Sequence, residues 1–106
     1  MIVYISGKMT GLPDYNRPAF NAMAAQLRTE GFEVINPAEL PEPAGGDHWH
    51  LWMRQAVAAM MRADVLLMLD GWLESRGATA EVQIAALVGI DVVMTVERLR
   101  AMRGER

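Results

Sequence analysis

The chain has 106 residues, 52% apolar and 22% charged, enough to bury one core and too few for two domains, which excludes disordered and collagen-like classes. A formal net charge of −3, with one lysine among ten basic residues, leaves no broad basic field for a nucleic-acid backbone, so polymeric DNA or RNA is not an expected partner. With no cysteine, a disulfide frame, a thiolate nucleophile and a cysteine-based zinc site are all excluded.

In "MIVYIS" a β-branched and aromatic run ends at Gly7, which predicts a buried strand from Ile2 to Ser6. The following loop, "GKMTGLPDYNRP", is longer than the roughly 2–6 residues usual between strand and helix and is a candidate for function. From Pro18, "AFNAMAAQLRTEG" sets Phe20, Met23, Ala24 and Leu27 on one helical face and closes at Gly31. "FEVIN" alternates and stops at Asn36-Pro37, the second strand, and "PAELPEPAGGD" is a surface loop. "HWHLWMRQAVAAMMRA" predicts a second helix from Trp49 to Arg62, with Trp52, Ala56, Ala59, Met60 and Ala63 on one side. "DVLLML" has the length and apolarity of a central third strand, "SRGATAEVQIAALVG" reads as a third helix and "IDVVMT" as a fourth strand. The closing "RLRAMRGER", with Arg103 and Arg106, reads as a solvated helix end rather than a binding arm. No apolar stretch approaches the roughly 20 residues of a membrane span and no secretory signal is visible, so a cytoplasmic location without membrane contact is expected.

Strands alternating with helices imply βαβ units. The expected fold is α/β, one domain over residues 1–106 with a small Rossmann-like or flavodoxin-like three-layer architecture and a mainly parallel sheet of four strands ordered 2-1-3-4. Ligands in such sheets sit outside the carboxyl ends of the strands where strand order reverses, here between strands one and three. Tyr4, Lys8 and Thr10 from the first strand and its loop would meet Asp70, Ser75 and Glu81 from the region after the third, beside the starts of helices one and three. An anion such as a phosphate could be held by backbone amides of "SRGA" and by Arg76 or Lys8. No G-x-G-x-x-G and no phosphate-loop lysine motif occurs, which disfavours nicotinamide and nucleoside-triphosphate chemistry, and no cofactor is expected.

Glu81 is the sharpest signal, because it falls on the apolar face of helix three with Ile84, Ala85 and Val88, about 40° from Ala85 at 100° per residue. Near the helix start the dipole would hold it ionised while its apolar setting pushes its pKa upward, and such a carboxylate can attack a sugar carbon. The plain alternative is a helix cap turned outward. His48 and His50 at i, i+2 point to different sides of a helix with no third ligand, so no metal is expected. Trp49, Trp52 and Trp72 could be core or interface, and Trp72, directly after Gly71, could stack on a planar base.

Two stretches, "YISGKMTGLPDYNRPAFN" and "ADVLLMLDGWLESRGATAEVQIA", resemble a family of small phage and bacterial proteins of uncharacterised function (DUF4406-like), related to the nucleoside 2-deoxyribosyltransferases and the deoxynucleoside-monophosphate N-glycosidases. The resemblance covers roughly residues 1–94. It implies that Tyr4 orients a nucleophilic Glu81, that Ser75 contacts the sugar or its 5′-phosphate, and that "GKMTG" lies over the substrate. The candidate substrate-binding residues are Gly7, Lys8, Met9, Thr10, Trp72, Ser75 and Gly77, the ligand being a small-molecule nucleoside or nucleotide. Ala56 stands where the related enzymes carry an aspartate that assists the departing base. Either Asp70, Asp47 or a histidine takes over, or the chain is a noncatalytic nucleotide-binding or sensing module. A homo-oligomer, a dimer in the first instance, is expected from the small size and from the Trp- and Met-rich second helix.

Overall fold

The computed structural model describes residues 1–46 and 48–104. Its strands are β1 (Ile2–Ser6), β2 (Glu33–Ile35), β3 (Val65–Met68) and β4 (Asp91–Val93), and its α-helices are α1 (Arg17–Thr29), α2 (Trp49–Met60), α3 (Arg76–Val88) and α4 (Val96–Met102). The strands form one parallel sheet in the order β2-β1-β3-β4, a Rossmann-like α/β fold. The β-branched and leucine-rich runs of β1 and β3 occupy the two central places, where both faces of a strand are covered. The outer strands are shorter than their sequence runs. Phe32 and Asn36, expected in β2, leave the ladder, Phe32 to enter the core and Asn36 to cap a 3-10 turn by accepting from the Ala38 amide at 3.0 Å.

The step from β1 to β2 goes one way across the sheet and the steps from β2 to β3 and β3 to β4 go the other. Right-handed crossovers then put α1 on one face and α2 and α3 on the opposite face. The core divides in the same way. Val3, Ile5, Val65 and Leu67 pack with Phe20, Ala24 and Leu27 of α1 and Leu99 of α4. Tyr4, Leu66 and Met68 pack with Ala59 and Met60 of α2 and Ala78 and Ala85 of α3. Alternation along β1 therefore assigns Tyr4, and Ser6 two residues further on, to the α2/α3 face.

Between β1 and α1 the backbone takes an unusual course. Asp14, Tyr15 and Asn16 have φ of 51°, 52° and 60°, three consecutive side-chain-bearing residues in the left-handed region, which costs roughly 1–2 kcal/mol per residue. Local hydrogen bonds offset part of this. The Tyr15 amide donates to the Leu12 carbonyl at 3.0 Å, and Asn16 Nδ2 donates to the Lys8 carbonyl at 3.0 Å, tying the segment to the loop that leaves β1.

The carboxyl-terminal helix departs from the expectation of a solvated end. Arg100 donates from Nε and Nη2 to the two Glu30 oxygens at 2.7 and 2.8 Å, while Arg103 donates to the Glu30 carbonyl at 2.9 Å and stacks 3.6 Å above the Phe32 ring. These contacts clamp α4 to the end of α1, and the Arg100 guanidinium holds the Glu30 carboxyl below its ordinary pKa. Arg106 lies outside the described residues. Among the described residues no helix is long and apolar enough to cross a membrane.

Candidate active site

Ser75 begins α3 as its N-cap, Oγ accepting from the Ala78 amide at 3.0 Å. Ala78, Glu81 and Ala85 then form the buried stripe of the helix, while Val88, expected on that face, is exposed. Two alanines let the helix lie close to the sheet, and Glu81 between them reaches the strands. Glu81 is only 6% exposed. The Tyr4 hydroxyl donates to its Oε2 at 2.7 Å and the Ser6 hydroxyl to its Oε1 at 2.7 Å. Both partners come from the same face of β1, so strand alternation assembles the triad.

Glu81 is the sixth residue of α3, beyond the first turn and not at the helix start where the dipole was expected to hold it ionised. The helix dipole acts mainly within the first turn and does not hold this carboxylate ionised. Burial raises the Glu81 pKa, opposed by the hydrogen bonds from Ser6 and Tyr4. Burial, together with the adjacent carboxylate, pushes the Tyr4 hydroxyl well above its ordinary value, so Tyr4 is a proton donor in the bond and not a base. Glu81 does not turn outward as a cap.

The triad lies against a cleft of about 760 Å3, within the roughly 300–1,000 Å3 of small-molecule sites. Of the residues expected to bind substrate, Gly7, Lys8, Met9, Thr10, Ser75 and Gly77 line it together with Tyr4 and Glu81. At its rim Lys8 Nζ stands 3.6 Å from a Glu74 oxygen, and the Arg76 guanidinium lies 4.0 Å over the Trp49 ring.

Two expected residues are placed elsewhere. Asp70 is exposed and borders a separate hollow of about 420 Å3 with Leu12, Asn16 and Ala19, because Leu69 turns to the α1 face and the chain leaves the sheet there. It is not positioned to assist a base in the cleft. Trp72 packs half-buried against the Tyr4, Met60 and Leu66 cluster and does not line the cleft. The tryptophans that line the cleft are instead Trp49 and Trp52 of α2, with Met53 and Ala56 beside them. Only Ala59 and Met60 of that helix are buried, so the apolar stripe that reads as core is core in its last turn and cleft wall before it. His48 and His50 are exposed, and His50 meets the Trp49 ring edge-on with centroids 5.4 Å apart. Asp47 lies outside the described residues.

Ser6 was missed by sequence reasoning, although its place two residues after Tyr4 on one strand carried the signal. The α2 wall was missed because a helical apolar stripe does not say whether it faces protein or an opening.

A family model described as "Domain of unknown function (DUF4406)" matches residues 1–94, which include the whole cleft. The chain belongs to this family. The match spans β1 to β4 and ends before α4, so the clamp formed by Arg100 and Arg103 stands outside the matched region. No curated protein matches the chain.

Proposed function

We propose that the chain cleaves or exchanges the N-glycosidic bond of a 2-deoxyribonucleoside or its 5′-monophosphate, with Glu81 as nucleophile. The observation that carries this reading is the Glu81 carboxylate, buried at the edge of an open cleft and held, among the described residues, by two hydroxyl donors rather than by an ion pair. A structural salt bridge would neutralise the group, whereas hydroxyls orient it and leave its charge available. The resemblance to the nucleoside 2-deoxyribosyltransferases and the monophosphate N-glycosidases implies roles for Tyr4, Ser75 and Glu81, all three of which line the cleft.

In the proposed reaction a Glu81 oxygen bonds to C1′ of the sugar as the C1′–N bond breaks. The electron pair leaves on the base nitrogen, which takes a proton from solvent. Water then adds to C1′, the ester C–O bond breaks, Glu81 regains its carboxylate and the water loses a proton to solvent. A second base in place of water makes the reaction a transfer. Ser75 keeps its hydroxyl proton for donation while its oxygen caps α3, and Lys8 and Arg76 supply positive charge for a 5′-phosphate. Trp49 and Trp52 offer stacking surfaces for the base.

Base release from deoxynucleosides and their monophosphates tests the proposal, with Glu81→Ala as control. Release by the wild type and not by the variant supports it; equal rates, or no turnover of any substrate, reject it.

Ala56 in the cleft wall favours a second reading, a noncatalytic nucleotide-binding module, since position 56 brings no acid to the departing base. Calorimetric titration with nucleosides and monophosphates separates the two. Tight binding without product establishes this second reading.

A further inference from the structure

Tyr4 and Ser6 stand two residues apart on β1, about 7 Å along the strand, yet their hydroxyls meet on one carboxylate. The long side chain takes Oε2 and the short one Oε1, both at 2.7 Å. Ser6 is 1% exposed and bonds to a glutamate that is itself buried. The terminal torsion of a glutamate is broad and roughly two-fold, so a single donor would leave the carboxylate free to rotate about that contact. A second donor on the other oxygen removes that freedom. A carboxylate has roughly four lone-pair sites; the two hydroxyls take one on each oxygen and leave one on each.

We infer that Ser6 is a positioning residue for Glu81, its hydroxyl fixing the second carboxylate oxygen so that the group meets the cleft ionised and in one orientation. The inference rests on the reading of Glu81 as the nucleophile, and it deepens that reading by assigning the orientation to two β1 residues rather than to Tyr4 alone. Burial raises the Glu81 pKa and the Ser6 bond is the first of the two influences that lower it, so loss of the Ser6 hydroxyl favours the protonated, non-nucleophilic form. Other groups border the same cleft. Lys8 follows β1, Arg17 starts α1, Glu42 lies in the loop before α2, and Glu74 and Arg76 precede and begin α3, while α2 contributes Trp49, Trp52, Met53 and Ala56 and no charge. Each charged neighbour is present unchanged in a Ser6 variant, so the comparison isolates the hydroxyl.

The test uses the full chain with glutamate side chains labelled with 13C, and Glu81→Gln to assign the resonance. The Glu81 titration is followed by NMR in the wild type, in Ser6→Ala and in Ser6→Cys, whose thiol is a weaker donor of similar size. In parallel, the pH dependence of kcat/KM for base release from deoxynucleoside monophosphates is measured. Ser6→Ala is expected to move the Glu81 midpoint upward and to move the acid limb of kcat/KM with it. The rate loss on the acid side should exceed the loss at pH 8 by about 10-fold for each pH unit of midpoint displacement. Ser6→Cys should move both in the same direction by less, and it decides the matter if Ser6→Ala does not fold. An unchanged midpoint, or a rate lowered by one factor at every pH, overturns the inference. If the wild type releases no base, the proposed activity fails on its own, and the NMR titration, which needs no substrate, still decides whether Ser6 controls Glu81.

Discussion

Replacing Tyr4 by phenylalanine removes one oxygen and leaves the ring in the core. Tyr4 is 1% exposed and packs with Leu66, Met68 and Ala78 on the α3 face, contacts that the variant keeps. What it loses is the 2.7 Å bond to Glu81 Oε2. A hydrogen bond to a charged group contributes about 1.5–3 kcal/mol, so at neutral pH Tyr4→Phe should lower stability by about that amount. For a chain near this size each kcal/mol corresponds to roughly 4–8 °C of melting temperature. Once Glu81 is protonated the bond is between neutral groups, contributing about 0.5–1.5 kcal/mol, and the cost of the substitution should shrink. Urea unfolding of both proteins at pH 7 and at pH 4, with the Glu81→Gln and double variants completing a cycle, measures the difference. An equal cost at both pH values, or additive effects in the cycle, would refute the picture of a charged carboxylate gripped by the phenol.

Glu81 itself should weaken the fold at neutral pH. Its folded pKa lies above its unfolded value, so the folded chain holds the proton more tightly, and the stability linked to Glu81 is greatest below the ordinary glutamate range and falls as pH rises through the raised value. Glu81→Gln should abolish that decline, and a wild-type-minus-variant stability difference that is flat from pH 4 to pH 8 would contradict it. Ala56→Asp places an acid in the α2 wall and, on the proposed reaction, should raise base release by roughly 100-fold or more in a steady-state assay; an unchanged rate counts against a base bound on that side. Gly7→Ala brings a Cβ to 3.0 Å from the Leu69 Cβ, an overpacking contact that should cost about 1–3 kcal/mol in thermal unfolding. A melting temperature equal to the wild type would show that the loop after β1 yields freely.

The sequence by itself determined the fold class and the central strands. The apolar runs at Ile2–Ser6 and Val65–Met68 mark central strands of a parallel sheet, short connections between consecutive strands favour the order 2-1-3-4 that the sheet has, and right-handed crossovers decide which face each helix covers. It also marked Glu81, because a carboxylate on an apolar helical face conflicts with burial unless something accommodates it. What accommodates it was decided in three dimensions. Position in the helix fixed whether the dipole could act on Glu81, and close approach of α3 through Ala78 and Ala85 brought Ser6 within 2.7 Å. The assignment of tryptophans was likewise tertiary, since Trp49 and Trp52 line the cleft and Trp72 the core although all three share one chemistry. Periodicity records which residues share a face; what lies in front of that face depends on the elements packed around it, and those come from distant parts of the chain.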